Sequence, residues 1–167
     1  MSTPKVGILM GSLSDKDVMM GAVDVLNDFD IEWEMKVRSA HRTPEQTLAY
    51  ARSAQDRGIQ VLIAGAGMAA HLAGVLAAES LLPVIGVPIG ASLGGFDSLL
   101  ATVQMPPGIP VATVAVGKAG AKNAAWMAVR IMSLSDEELA AKLVVARQAM
   151  VEKILEADAI LAQDHRA

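Results

Sequence analysis

Four runs, residues 6–10 (VGILM), 61–65 (VLIAG), 83–88 (PVIGVP) and 111–116 (VATVAV), are apolar at almost every position. Short runs that do not alternate suit strands buried on both faces, as the strands of a parallel sheet are. A fifth stretch, residues 31–37 (IEWEMKV), alternates and predicts a strand with one wetter face. Between these runs the apolar positions recur at helical spacing over about residues 15–28, 44–57, 69–80 and 119–132. Strand and helix therefore alternate about five times. That order predicts a parallel sheet with helices on both faces, a three-layer α/β sandwich forming a single domain over residues 1–167.

The last segment has a different pattern. Ser135 and Glu138 fit a capping box, and Leu134 and Leu139 fit the hydrophobic staple around it. A helix over about residues 135–157 should follow, with Leu139, Leu143, Met150 and Ile154 on one stripe. A sheet already covered on both sides leaves no face for it. This long C-terminal helix is therefore expected to pack on a neighbouring subunit.

Composition narrows the function classes. Apolar residues make up 53% and charged residues 19%, which excludes a disordered chain. A net charge of -4 with no basic run argues against a nucleic-acid surface. No cysteine is present, so disulfides, thiolate chemistry and Cys-ligated metals are excluded together, and a cytoplasmic setting suits the chain. Three histidines, His41, His71 and His165, without an H-x-x-x-H pair make a zinc site a poor reading. The five-residue apolar run near the start, soon followed by Asp15, Lys16 and Asp17, does not fit a signal peptide. Residues 61–78 are broken only by His71 and approach the length of a membrane span, but their Ala- and Gly-rich makeup predicts a strand and a helix instead. From residue 58 to residue 117 only Glu79 and Asp97 carry charge. A domain of this size cannot hide so long an uncharged segment by itself, which predicts self-association.

In parallel α/β sheets, ligands bind beyond the carboxyl ends of the strands, where loops open into helices. Three loops qualify. In the first, Met10-Gly-Ser-Leu-Ser-Asp15, Gly11 permits a tight turn, and Ser12 and Ser14 offer hydroxyls beside free helix N–H groups. Asp15 offers acceptors suited to ribose hydroxyls. The plainer alternative makes Ser14 an N-cap and Asp15 a first-turn acid that complements the helix dipole. In the second, Val37-Arg-Ser-Ala-His-Arg-Thr-Pro-Glu-Gln46, Thr43, Pro44 and Gln46 read as a capped helix start. Ser39, His41 and Arg42 lie just before it. Arginine beside free helix N–H groups can grip phosphate, and histidine can exchange protons near neutral pH. An ordinary solvated loop histidine is the alternative.

The third loop, Gly65-Ala-Gly-Met-Ala-Ala-His71-Leu72, satisfies G-x-G-x-x-[GA] between strand and helix. It follows the third strand, not the first, and no acidic residue caps a following strand at the expected distance. A nucleotide-dependent oxidoreductase and a non-catalytic nucleotide-binding module therefore stand as rival readings. His71 serves a structural hydrogen bond as readily as catalysis. No G-x-S-x-G elbow is present for a serine hydrolase.

Taken together, MGSLSD, SAHRTP, AGAGMAAHL and QMPPGIPVATVAVGKAGAKNAA, in that order, resemble the N5-carboxyaminoimidazole ribonucleotide mutase family of purine synthesis. The resemblance runs from about Lys5 to Ala157. It implies a flavodoxin/Rossmann-like sheet, with His41 as general acid and base. Ser12, Ser14, Ser39 and Arg42 would hold the ribonucleotide phosphate, and Asp15 the ribose. The backbone of Ala66, Gly67 and Met68 would line the imidazole and carboxylate site, with His71 and Leu72 at its edge. It further implies a small-molecule ribonucleotide substrate, a homo-octamer, and no cofactor, metal, nucleic acid or membrane. Met68 stands where the family pattern has a second glycine, Leu13 where lysine is frequent, and Ala73 where proline is common. The stretch from Ile89 to Asp97 is one residue short of that pattern.

Overall fold

A computed structural model describes residues 3–164 of the chain. His165 lies outside the described residues. Contacts divide the chain into one unit ending at Ala128 and a second beginning at Val129.

The first unit is built on five parallel strands, β1 (Val6–Met10), β2 (Trp33–Val37), β3 (Val61–Gly67), β4 (Val84–Ile89) and β5 (Ala112–Thr113), in the order β2-β1-β3-β4-β5. This is the flavodoxin-like order, whose direction of winding reverses between β1 and β3. The helices are α1 (Lys16–Asp28), α2 (Pro44–Ala54), α3 (Leu72–Glu79), α4 (Phe96–Val103) and α5 (Lys118–Ser133), with a 3-10 turn at Leu13–Asp15 ahead of α1. The fully apolar runs become the central strands. Every residue of β1 and β4 is buried.

The two faces follow from the period-2 alternation of side chains. Leu9, Leu62, Ala64 and Val84 join Tyr50, Ala51 and Ala54 of α2 and Leu72, Ala73 and Leu76 of α3 in one core. On the opposite face Met19 of α1 lies against Gly65, and Phe29 meets Trp126 of α5 edge-on at 5.1 Å between ring centres.

Several sequence expectations are revised here. The run at residues 111–116 pairs as a strand only at Ala112 and Thr113; beyond them single bonds, Val114 N–H to Gly86 O and Gly117 N–H to Pro88 O, keep the chain beside β4. Helix α4 has no counterpart among the predicted elements. It buries Ser98 and Thr102, whose hydroxyls bond to the carbonyls of Ile89 and Ser98. Thr43 occupies the N-cap of α2 with Pro44 at the first helical position, but its side chain makes no capping bond: its hydroxyl accepts from Ser39 N–H and donates to Ser39 O. Residues 61–78 form β3, a turn and α3, and no helix among the described residues is long and apolar enough to cross a membrane.

The second unit contains the end of α5 and a final helix, α6 (Glu137–Asp164), longer than the predicted 135–157. Its start is held by Asp136, whose Oδ1 accepts from Leu139 N–H at 2.9 Å. Ser135, the expected cap, donates back to Met132 O instead. Val144, Val145, Ile154 and Leu155 of α6 are exposed.

Candidate active site

The carboxyl ends of β1, β2 and β3 meet where the strand order reverses, and a cleft of about 820 Å³ opens there. All eleven residues singled out from the sequence line it: Ser12, Ser14, Asp15, Ser39, His41, Arg42, Ala66, Gly67, Met68, His71 and Leu72. Gly11 of the first loop also borders it, as do Ile89, Gly90 and Ala91, to which only the pattern of strand ends could have pointed.

The β1 loop is organised by Ser12. Its backbone N–H donates to Asp15 Oδ2 at 3.1 Å, and its Oγ accepts from Ser14 Oγ at 2.9 Å. Ser12, not Ser14, is therefore the cap, and it caps the 3-10 turn in a reciprocal pair with Asp15. Burial pushes the Asp15 carboxyl above its usual range, against the opposing pull of the Ser12 N–H and the Arg42 charge.

The β2 loop is tied to it. Arg42 Nη2 donates to Gly11 O at 3.1 Å across the gap between the two loops. Ser39 Oγ accepts from Arg42 N–H at 3.1 Å, and Thr43 closes the turn through Ser39. Two serine-bearing loops and a guanidinium thus face one volume. Hydroxyls, a guanidinium and nearby helix N-termini are groups able to hold an anion.

The β3 loop supplies the second histidine. Strand β3 continues through Gly67, so the glycine-rich stretch is strand and not the turn of a dinucleotide fingerprint. Gly65 is glycine because a Cβ would strike Met19, and Gly67 because a Cβ would press on Ile89 O at 3.2 Å. The chain then turns at Met68, with φ of 55°. Ala70 N–H donates to Met68 O and His71 N–H to Ala69 O, setting His71 at the start of α3. There His41 Nε2 and His71 Nδ1 lie 2.8 Å apart, with the rings perpendicular. One nitrogen must donate and the other accept, so the linked pair holds at most one extra proton. Both rings are exposed in the cleft. Two imidazoles able to exchange a proton thus stand beside groups able to hold an anion. Among the described residues no group of His, Asp and Glu is placed to hold a metal ion.

Residues 5–153 match the family model for AIR carboxylase. The N5-carboxyaminoimidazole ribonucleotide mutase of Pyrococcus abyssi is 60% identical over 148 residues, covering 88% of this chain and 84% of that one. The mutase of Bacillus subtilis is 53% identical, covering 92% of this chain and 95% of its own. The crystal structure of Treponema denticola PurE superposes with a TM-score of 0.84 at 32% identity, covering 93% and 97% of the two chains. The chain belongs to the AIR carboxylase family.

Proposed function

We propose that the chain is an N5-carboxyaminoimidazole ribonucleotide mutase, an isomerase of purine biosynthesis that converts its substrate to 4-carboxy-5-aminoimidazole ribonucleotide. The observation that carries this is His41, exposed beside the phosphate-gripping loops and hydrogen-bonded to a second imidazole. The names of relatives more than half identical over most of the chain support it.

In this reading Ser12, Ser14, Ser39 and Arg42 hold the phosphate and Asp15 the ribose. The backbone of Ala66, Gly67 and Met68 faces the imidazole and carboxylate, with His71 and Leu72 at the edge. The substrate carries its carboxylate on the exocyclic nitrogen as a carbamate. His41 gives that nitrogen a proton, the N–C bond breaks, and its electron pair stays on nitrogen as carbon dioxide departs. C4 of the aminoimidazole then forms a bond to the carbon of that carbon dioxide. His41 removes the C4 proton and returns to its starting state. One proton is lent and recovered, so no metal, cofactor or nucleotide triphosphate is needed. Holding carbon dioxide beside C4 replaces a bimolecular encounter, a gain on the order of several kcal/mol.

The working form is a closed homo-oligomer, an octamer by family resemblance, with α6 packed on a neighbouring subunit and residues 1–167 acting as one domain. Exposed apolar residues on α4 (Phe96, Leu100, Val103) and α6 support association. The cysteine-free composition supports a cytoplasmic location. An absorbance assay with N5-carboxyaminoimidazole ribonucleotide tests the reading. Product should form at the same rate with and without added bicarbonate. A strict requirement for bicarbonate would indicate direct carboxylation of aminoimidazole ribonucleotide, and saturable NAD(H) binding would favour an oxidoreductase.

A further inference from the structure

We infer that the Met68 side chain is an apolar cover that closes over the bound ribonucleotide and slows the escape of carbon dioxide. The inference rests on the mutase reading above and adds to it a role for a side chain, where that reading uses only the backbone.

Among the described residues Met68 and Asp30 are the non-glycine residues with positive φ, at 55° and 56°. Asp accepts that conformation more readily than most, through its short polar side chain. Methionine has no such means, so its backbone at 68 is strained where a glycine would sit freely. The turn itself is held by backbone bonds, Ala70 N–H to Met68 O and His71 N–H to Ala69 O, which need no particular side chain at 68. Nor does packing within the chain offset the strain, because the Met68 side chain is 61% exposed there. The residue therefore contributes little to the folded free chain and carries a conformational cost.

Its position gives a reason. Met68 directly follows the last residue of β3, lies three residues before His71, and lines the same cleft as His41. An unbranched thioether with three rotatable bonds adapts to a ligand surface more easily than a branched side chain. Strain retained at a ligand-facing turn is expected where the ligand uses it. Released carbon dioxide is neutral and diffuses readily, so no charged group can retain it. An apolar wall that displaces water from the cleft mouth is the barrier suited to it.

Two measurements test this. First, dilute peroxide oxidises exposed methionines, and peptide mass spectrometry reads the rate at each one. Saturating aminoimidazole ribonucleotide should slow oxidation of Met68 at least fivefold and leave Met127, an exposed methionine of α5, unchanged. Second, Met68→Gly should fold with a denaturation midpoint no lower than wild type. After subtraction of the enzyme-free decarboxylation, it should also raise the aminoimidazole ribonucleotide released per product formed at least threefold over wild type. Met68→Leu should stay close to wild type in that ratio. Ribonucleotide that fails to bind would overturn the mutase reading, and this inference with it. Ribonucleotide that binds and turns over while Met68 oxidises at its free rate, or an unchanged release ratio in Met68→Gly, would overturn the inference alone.

Discussion

At the scale of single residues, the proposed chemistry depends on His41 and on the loops that present it. Replacing His41 with Asn keeps a polar group without proton-transfer capacity. Turnover should fall at least about a hundredfold, the low end for a lost general acid–base. Ribonucleotide affinity, read by calorimetry, should stay within a few-fold of wild type. Arg42→Ala should weaken ribonucleotide binding by roughly 2 to 3 kcal/mol, the scale of charge-assisted hydrogen bonds, and weaken nucleoside binding much less. Equal losses for both ligands would remove Arg42 from the phosphate site. These side chains were legible in the sequence because strand ends and helix starts locate them. The caps were less so. Thr43 and Ser135 have the right chemistry, but a hydroxyl can bond backwards along the chain as well as forwards, and only the backbone geometry decides. Likewise the His41–His71 bond joins residues 30 apart, and no local spacing announces it.

At the scale of elements, the buried strands were plain because each is a short run with no polar face. Helix α4 was not, since it follows a Gly- and Ser-rich stretch ending in Gly94 and Gly95, both with positive φ, that reads as loop. Strand β5 came out shorter than its apolar run because only Ala112 and Thr113 pair with β4. Close packing of α4 on β4 requires glycine at 86, where a Cβ would meet Thr102 Cγ2 and, at 2.9 Å, Val111 Cγ1. Gly86→Ala should therefore cost about 1–3 kcal/mol in denaturant unfolding, the range for overpacking. Strand β2 carries a pH-dependent contribution. Burial raises the Glu34 carboxyl, but the Arg57 hydrogen bond, the Tyr50 hydroxyl at 2.8 Å and the charges of Arg57 and Lys36 outweigh it and hold the group below 4.5. A lowered native value means stability that is present above the unfolded value and lost as pH falls through the native one. Glu34→Gln should cost about 1 kcal/mol at pH 7, a modest figure because Arg57 is partly exposed. The difference should vanish as pH falls through the lowered native value. A pH-independent difference would exclude the charge as its cause.

At the scale of the whole molecule, sixty residues with two charges and the exposed apolar positions on α4 and α6 call for partners. Light scattering at low micromolar concentration should give a mass several times 17.4 kDa. A stable, active monomer would overturn the burial argument. The central claim is that the carboxylate moves within one bound substrate. It is tested most directly by following substrate labelled with carbon-13 in its carbamate, in unlabelled bicarbonate, by mass spectrometry of the product. The label should appear in the C4 carboxylate of most product molecules. Product carrying the unlabelled carbon of bicarbonate, or no product at all, would contradict it.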